Sequence, residues 1–193
     1  MAVLFISEDK LKKSTTINGN VDVELLRPYM KVAQDLHIWT KLGSRLYEHL
    51  QDLITANTIG DEGNANYKTL IDDYIQDALV HWTLYEAIPF LGYKIMNKDI
   101  VRQTSENSET APFEEINFLR NTVMNTAEWY TERLIDYLCE NNTLFPEYNS
   151  NSGADVRPSK ENFYSGMNLG RYDRYQGTRI TLNDFLDSDF DAV

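Results

Sequence analysis

Residues 67–89 read YKTLIDDYIQDALVHWTLYEAIP. Tyr67, Leu70, Ile71, Tyr74, Ile75, Ala78, Leu79 and Trp82 recur at steps of three and one, and Tyr85 and Ile88 extend the face by threes. That is the spacing of one buried stripe on a long helix, which Pro89 should kink or end.

The same period runs outward in both directions. Upstream, Val23, Leu26, Met30, Ala33 and His37 define a helix from Asp22 to about Trp39, with Pro28 tolerable near its start or as a kink. Lys41-Leu42-Gly43-Ser44 breaks it, and Leu46, Leu50, Leu53 and Ile54 share a face of the next helix, which fades into the polar stretch from Asn57 to Asn66. Downstream, Pro112, Glu114 and Glu115 suit a first helical turn, because Pro needs no donor there and acids complement the helix dipole. Ile116, Leu119, Val123, Ala127, Tyr130, Leu134 and Leu138 then give a helix ending near Asn141-Asn142. Ahead of these elements, Val3-Leu4-Phe5-Ile6 suits a short strand, and Ser7 can cap a brief helix that opens with Glu8 and Asp9.

Between the two longest helices, Tyr93 to Met96 and Asp99 to Arg102 flank Asn97-Lys98, a spacing that permits a small β-hairpin. The expected fold class is therefore all-α: a helical bundle with a long central helix, a small hairpin and an extended C-terminal arm. Residues 1–148 form the bundle domain in this reading and residues 149–193 the arm. From Ser150 to Arg179 the chain is rich in Asn, Ser, Gly, Tyr and Arg and has no apolar period to offset the entropy of ordering, so it needs a partner to become structured. Tyr and Arg are anchor residues at protein interfaces. The candidate partner contacts are accordingly Arg171, Tyr172, Arg174, Tyr175 and Phe185 in the arm, with Lys94 and Arg102 in the hairpin region.

Composition excludes several functions. A net charge of -12 opposes a surface that holds nucleic acid by neutralising phosphates. One cysteine, Cys139, permits neither an intrachain disulfide nor a zinc site built on cysteines. No apolar run approaches the length of a membrane span or of a signal-peptide core, so the protein is expected to stay in the cytosol where it is made and to meet no membrane. His37, His49 and His81 fall on three helices, and the residues three positions before them, Gln34, Leu46 and Ala78, are not the Glu that a di-iron bundle requires. Phosphate-binding glycine loops, nucleophile elbows and His-Glu-x-x-His are missing from the sequence. Paired acids such as Asp72-Asp73, Glu114-Glu115 and Glu128/Glu132 fit solvated helix faces. The chain is read as a non-enzyme without cofactors.

Several segments carry a family resemblance. They are Phe5-Ile6-Ser7, Asn18-Gly19-Asn20-Val21-Asp22 followed by Leu25-Leu26-Arg27-Pro28, Leu42 to Tyr47, Leu84 to Phe90, and Asn125-Thr126-Ala127-Glu128-Trp129-Tyr130 within the helix from Asn121 to Tyr137. Together, over roughly residues 3–148, they resemble head-to-tail connector proteins of tailed bacteriophages, particularly crAss-like phages that infect Bacteroidetes. The resemblance implies a virion structural protein, made in the host cytoplasm and placed at the head-tail interface. It implies a homo-oligomeric ring, usually of twelve copies, that binds the portal and adjacent connector or tail ring proteins while DNA passes through the lumen without specific binding. Acidic copies in such a ring would repel the passing duplex rather than hold it. The alternative from a different class is a monomeric helical binding or regulatory module whose arm folds onto a single target.

Overall fold

The computed structural model describes residues 3–17, 21–91, 93–95, 100–102, 112–150 and 155–160. The chain is predominantly helical. Helix α1 (Glu8–Ser14) is capped by Ser7, whose Oγ accepts from the Lys10 amide, and Glu8 and Asp9 occupy its first turn. Helix α2 (Val23–Ala33) is capped by Asp22, whose Oδ1 accepts from the Glu24 amide. It continues without interruption into a π-helical turn (Gln34–Trp39) and a closing α-turn, α3 (Thr40–Leu42). Gly43 then takes a φ of 77°, a conformation that costs a side-chain-bearing residue energy, and α4 (Ser44–Thr55) starts at once in a new direction.

The stretch quoted at the outset forms α5 (Ala65–Thr69), a second π turn (Leu70–Ile75) and α6 (Gln76–Leu91), contiguous along the chain. Pro89 is carried within α6 rather than ending it. Short strands β1 (Tyr93–Ile95) and β2 (Ile100–Arg102) pair antiparallel, Lys94 opposite Val101 and Tyr93 opposite Arg102. Helix α7 (Phe113–Glu140) follows, and α8 (Pro146–Asn149) is the last described helix.

Helix α6 packs on both α2 and α7, which explains why it is buried on more than one side: Ala78, Leu79, Val80, Trp82, Thr83 and Ala87 are all inside. It presents His81 and Tyr85 to α7, Glu86 to the π turn and Phe90 to α2, the two sets of directions a little over a third of a turn apart. Leu26 and Met30 of α2, Leu46 and Leu50 of α4, and Leu134 and Leu138 of α7 complete one core.

Two arrangements differ from the sequence reading. The run Val3 to Ile6 forms no strand; it is held by side-chain amides instead. Gln34, itself fully buried, accepts from the Phe5 amide at 2.9 Å and donates to the Val3 carbonyl at 2.9 Å and to the Tyr47 hydroxyl at 2.8 Å, while Gln76 donates to the Phe5 carbonyl. A primary amide supplies the donor and acceptor that a neighbouring strand would otherwise provide. The second difference concerns the end of the bundle, placed by the sequence reading at residue 148. The first compact unit runs from Met1 to Asn162, and the segment around 155–160 is tied to the α3–α4 corner. The Ser44 amide donates to the Val156 carbonyl, the Val156 amide donates to Ser44 Oγ, and the Ser159 amide donates to the Thr40 carbonyl, at 2.9, 3.0 and 2.9 Å.

Candidate functional site

The residues from which chemistry would be expected are dispersed. His37 Nε2 lies 2.9 Å from Glu86 Oε1, and its ring stacks on Trp82. His49 stands beside Tyr67 and 3.9 Å from Glu147. His81 stacks on Tyr130 between α6 and α7, where burial pushes its imidazole below the ordinary range against an opposing pull from Asp77. Each imidazole thus has its own aromatic neighbour, and among the described residues no three His, Cys, Asp or Glu side chains are grouped to hold a metal ion. No described helix is long and apolar enough to cross a membrane. Cys139 lies beside the buried Tyr148, whose hydroxyl is raised chiefly by burial. Asp72, Asp73, Glu114, Glu115 and Glu132 are exposed.

The surface is more informative than the interior. The lower part of α7 buries Ala127, Thr131, Leu134, Ile135 and Leu138. Above Ala127, from Phe113 to Thr126, no residue of α7 is buried. Phe113 and Leu119 are exposed there, although Leu119 was expected on the core face. The face directly opposite the core carries Phe118, Thr122, Asn125 and Trp129 at steps of four, three and four, the ridge spacing of helix packing. Phe118 is 71% exposed and Trp129 59%.

A second exposed apolar stripe lies on α2 and its π turn. Leu25 (46% exposed), Val32 and Leu36 (57%) follow at steps of seven and four. Between them Tyr29 stacks on the exposed ring of Phe90 at 5.3 Å, which extends the patch onto α6. Burying a large apolar side chain is worth about 1.5–3 kcal/mol, so a ridge of several left in water on each of two helices forgoes that stabilisation. Helical periodicity alone missed both stripes, because it groups residues by face and the innermost face was taken as the only apolar one; a wheel of residues 113–140 would have set Phe118 and Trp129 together.

The contacts expected from sequence fall elsewhere. Lys94 and Arg102 lie on β1 and β2, where the register pairs each with a different residue, so they are not cross-strand partners. Arg171, Tyr172, Arg174, Tyr175 and Phe185 lie outside the described residues.

Electrostatics distinguish the two stripes. Helix α7 carries six carboxylates against two arginines, and one of these, Arg133, sits over the Tyr74 ring and 3.7 Å from Asp77. The other, Arg120, lies over Tyr85 on the inner side. From Val23 to Leu42 the chain carries Arg27, Lys31 and Lys41 against Glu24 and Asp35. The first stripe is set in an acidic helix, whereas along α2 the cations are matched, Arg27 by Glu8 and Lys31 by Asp35.

No curated protein and no solved structure matches the chain. Residues 40–158 match a protein family described as a family of unknown function, DUF6712. The matched stretch starts at Thr40 and ends just past Val156, and so takes in the Ser44–Val156 tie, α4 to α8 and the acidic stripe. It covers more than half of the 193 residues, and the protein belongs to the DUF6712 family.

Proposed function

We propose that this protein is a structural assembly protein of a tailed-phage virion, a head-to-tail connector whose copies associate into a ring beneath the portal and leave a conduit for DNA. The observation that carries the reading is the pair of exposed apolar stripes on α2 and α7, two different surfaces that leave α6 in diverging directions. Closed rings are built from heterologous contacts, which need two unlike surfaces on each copy. A monomeric module with one target needs only one.

The long central helix supplies a rigid body between the two surfaces, and the hairpin and the C-terminal arm are the elements that reach a neighbour. In this reading Lys94 and Arg102 contact an adjacent ring, while Arg171, Tyr172, Arg174, Tyr175 and Phe185 dock on the portal or a tail ring protein. The acidic body suits a lumen wall that does not retain the duplex. No catalytic step and no cofactor enter the proposal.

The test is the mass of the purified protein, alone and mixed with a candidate portal, by light scattering coupled to size exclusion. A closed multimer, or a monomer that joins the portal at fixed stoichiometry, is the expected result. A monomer inert toward the portal moves the assignment to a single-target binding module.

A further inference from the structure

We infer that Cys139 is an oxidation site: a hydroperoxide converts its thiol to a sulfenic acid, and the buried hydroxyl of Tyr148 holds the added oxygen by a hydrogen bond. The inference goes beyond ring assembly and does not depend on it.

Its basis is a buried donor without an acceptor. Tyr148 is 3% exposed, and its Oη, shut off from solvent, makes no hydrogen bond to any described group. Few buried hydroxyls in folded chains are left in that condition, because desolvating a donor without pairing it is destabilising. The side chain that this hydroxyl faces is Cys139, in the last turn of α7, across the turn Asn142–Leu144 from α8. A thiol sulfur is a weak acceptor and leaves the need unmet. An oxygen bonded to the same sulfur is a far better one, and an ionised sulfenate better still. Cys139 is partly exposed, so a small oxidant can reach it where it cannot reach Tyr148.

The reaction needs only the thiol and the peroxide. Cys139 gives its proton to water, and the thiolate attacks the terminal oxygen of the hydroperoxide. The S–O bond forms as the O–O bond breaks, sulfur loses two electrons to the peroxide, and the departing alkoxide or hydroxide takes up a proton as alcohol or water. Cys139 is the only cysteine in the sequence, so no second thiol within it can condense with the sulfenic acid to a disulfide. By binding the oxygen, Tyr148 slows the next step, in which the sulfenic acid attacks a second peroxide and becomes sulfinic acid.

The full chain, treated with hydrogen peroxide and sampled over time into dimedone, tests this by intact mass and peptide mapping. Wild type should carry one dimedone adduct, on Cys139, and Cys139→Ser none. Under excess peroxide, Tyr148→Phe should pass from sulfenic to sulfinic acid about tenfold faster than wild type, the effect of one lost hydrogen bond to a charged oxygen. The reduced variant separates this role from a structural one. Since its hydroxyl has no acceptor to lose, the urea midpoint of reduced Tyr148→Phe should equal or exceed that of wild type, and oxidation should lower the midpoint further in the variant. The absence of an adduct on Cys139, at peroxide levels that oxidise free cysteine, would overturn the site. Equal conversion rates, or a reduced variant less stable than wild type, would remove Tyr148 from it and overturn the inference as stated.

Discussion

His37 lies flat on Trp82, with ring centroids 3.7 Å apart and planes within 3° of parallel. The contact joins the π turn after α2 to the middle of α6, and Glu86, one turn further along α6, holds the imidazole edge at 2.9 Å. Tyr85 meets both rings edge-on and receives Arg120 of α7 on its face at 4.1 Å, so one aromatic chain links three helices.

Removing the imidazole should therefore loosen the seat of α2. His37→Ala deletes a stacked ring and leaves Glu86 without that partner, a combined cost of about 1–3 kcal/mol. Urea denaturation followed by tryptophan fluorescence would measure it. His37→Phe, which keeps the stack and loses the polar edge, should cost less; an equal loss would assign the stability to the Glu86 contact.

A different histidine sets the acid limit. Since burial between α6 and α7 pushes His81 below its ordinary range, the folded protein favours the neutral ring. This contribution is fully present above the unfolded value of about 6.5. It is lost as pH falls from there to the lower folded-state value, because the unfolded chain takes up the proton first. His81→Phe should flatten the decline in urea midpoint between about pH 7 and about pH 5. An unchanged decline would place the acid sensitivity on other groups.

Two tyrosines, one buried and one half-buried, do the same at the alkaline end, with opposite sign. Tyr47 and Tyr67 are both pushed up to about 12, chiefly by burial; Tyr47 donates to Asp35 Oδ1 and Tyr67 to Glu147 Oε2. The unfolded chain ionises near pH 10. Stability present below that point is lost as pH rises from about 10 toward about 12, the interval in which only the unfolded state gives up the proton. Tyr47→Phe and Tyr67→Phe should each reduce this alkaline loss, and phenolate absorbance in the wild type should rise later than in urea-unfolded protein.

How much of this could be seen in the sequence depends on the distance over which each feature is determined. The stripe from Tyr67 to Trp82, the Ser7 cap and the break at Gly43 are local, fixed by period, capping oxygen and backbone freedom, and the structure places each where the residues suggested. The clamp of Gln34 on Val3 and Phe5 spans about thirty residues and depends on an amide whose neighbours no periodicity specifies. Along α7 the period correctly grouped Ile116, Leu119 and Val123 with Ala127 and Leu134, yet nothing within the helix says where the cover stops. Phe118 and Trp129 were hidden for the converse reason: they belong to a second face, and only the packed structure shows that it is left in water.

The tie between Ser44 and Val156 is the longest-range of these features and the nearest to the proposed arm. Ser44 Oγ accepts from the Val156 amide at 3.0 Å and from Trp39 Nε1 at 3.2 Å, while the Ser44 amide donates to the Val156 carbonyl. A hydroxyl with two accepting sites is needed at this corner, so Ser44→Ala leaves the Val156 amide and the Trp39 indole without that acceptor, each at a cost of about 1 kcal/mol. The helices do not depend on this side chain, and the loss should fall on the segment leaving the bundle. Hydrogen exchange read by NMR should show the Val156 amide exchanging about tenfold faster in the variant, with Ser159 following because Thr40 holds it only three residues beyond Val156. Amides within α6 should keep their wild-type rates. If Val156 kept its protection, the tie would be held by the backbone bond from Ser44 alone; if the α6 amides accelerated with it, the corner would belong to the cooperative core and could not serve as a separate anchor for the arm.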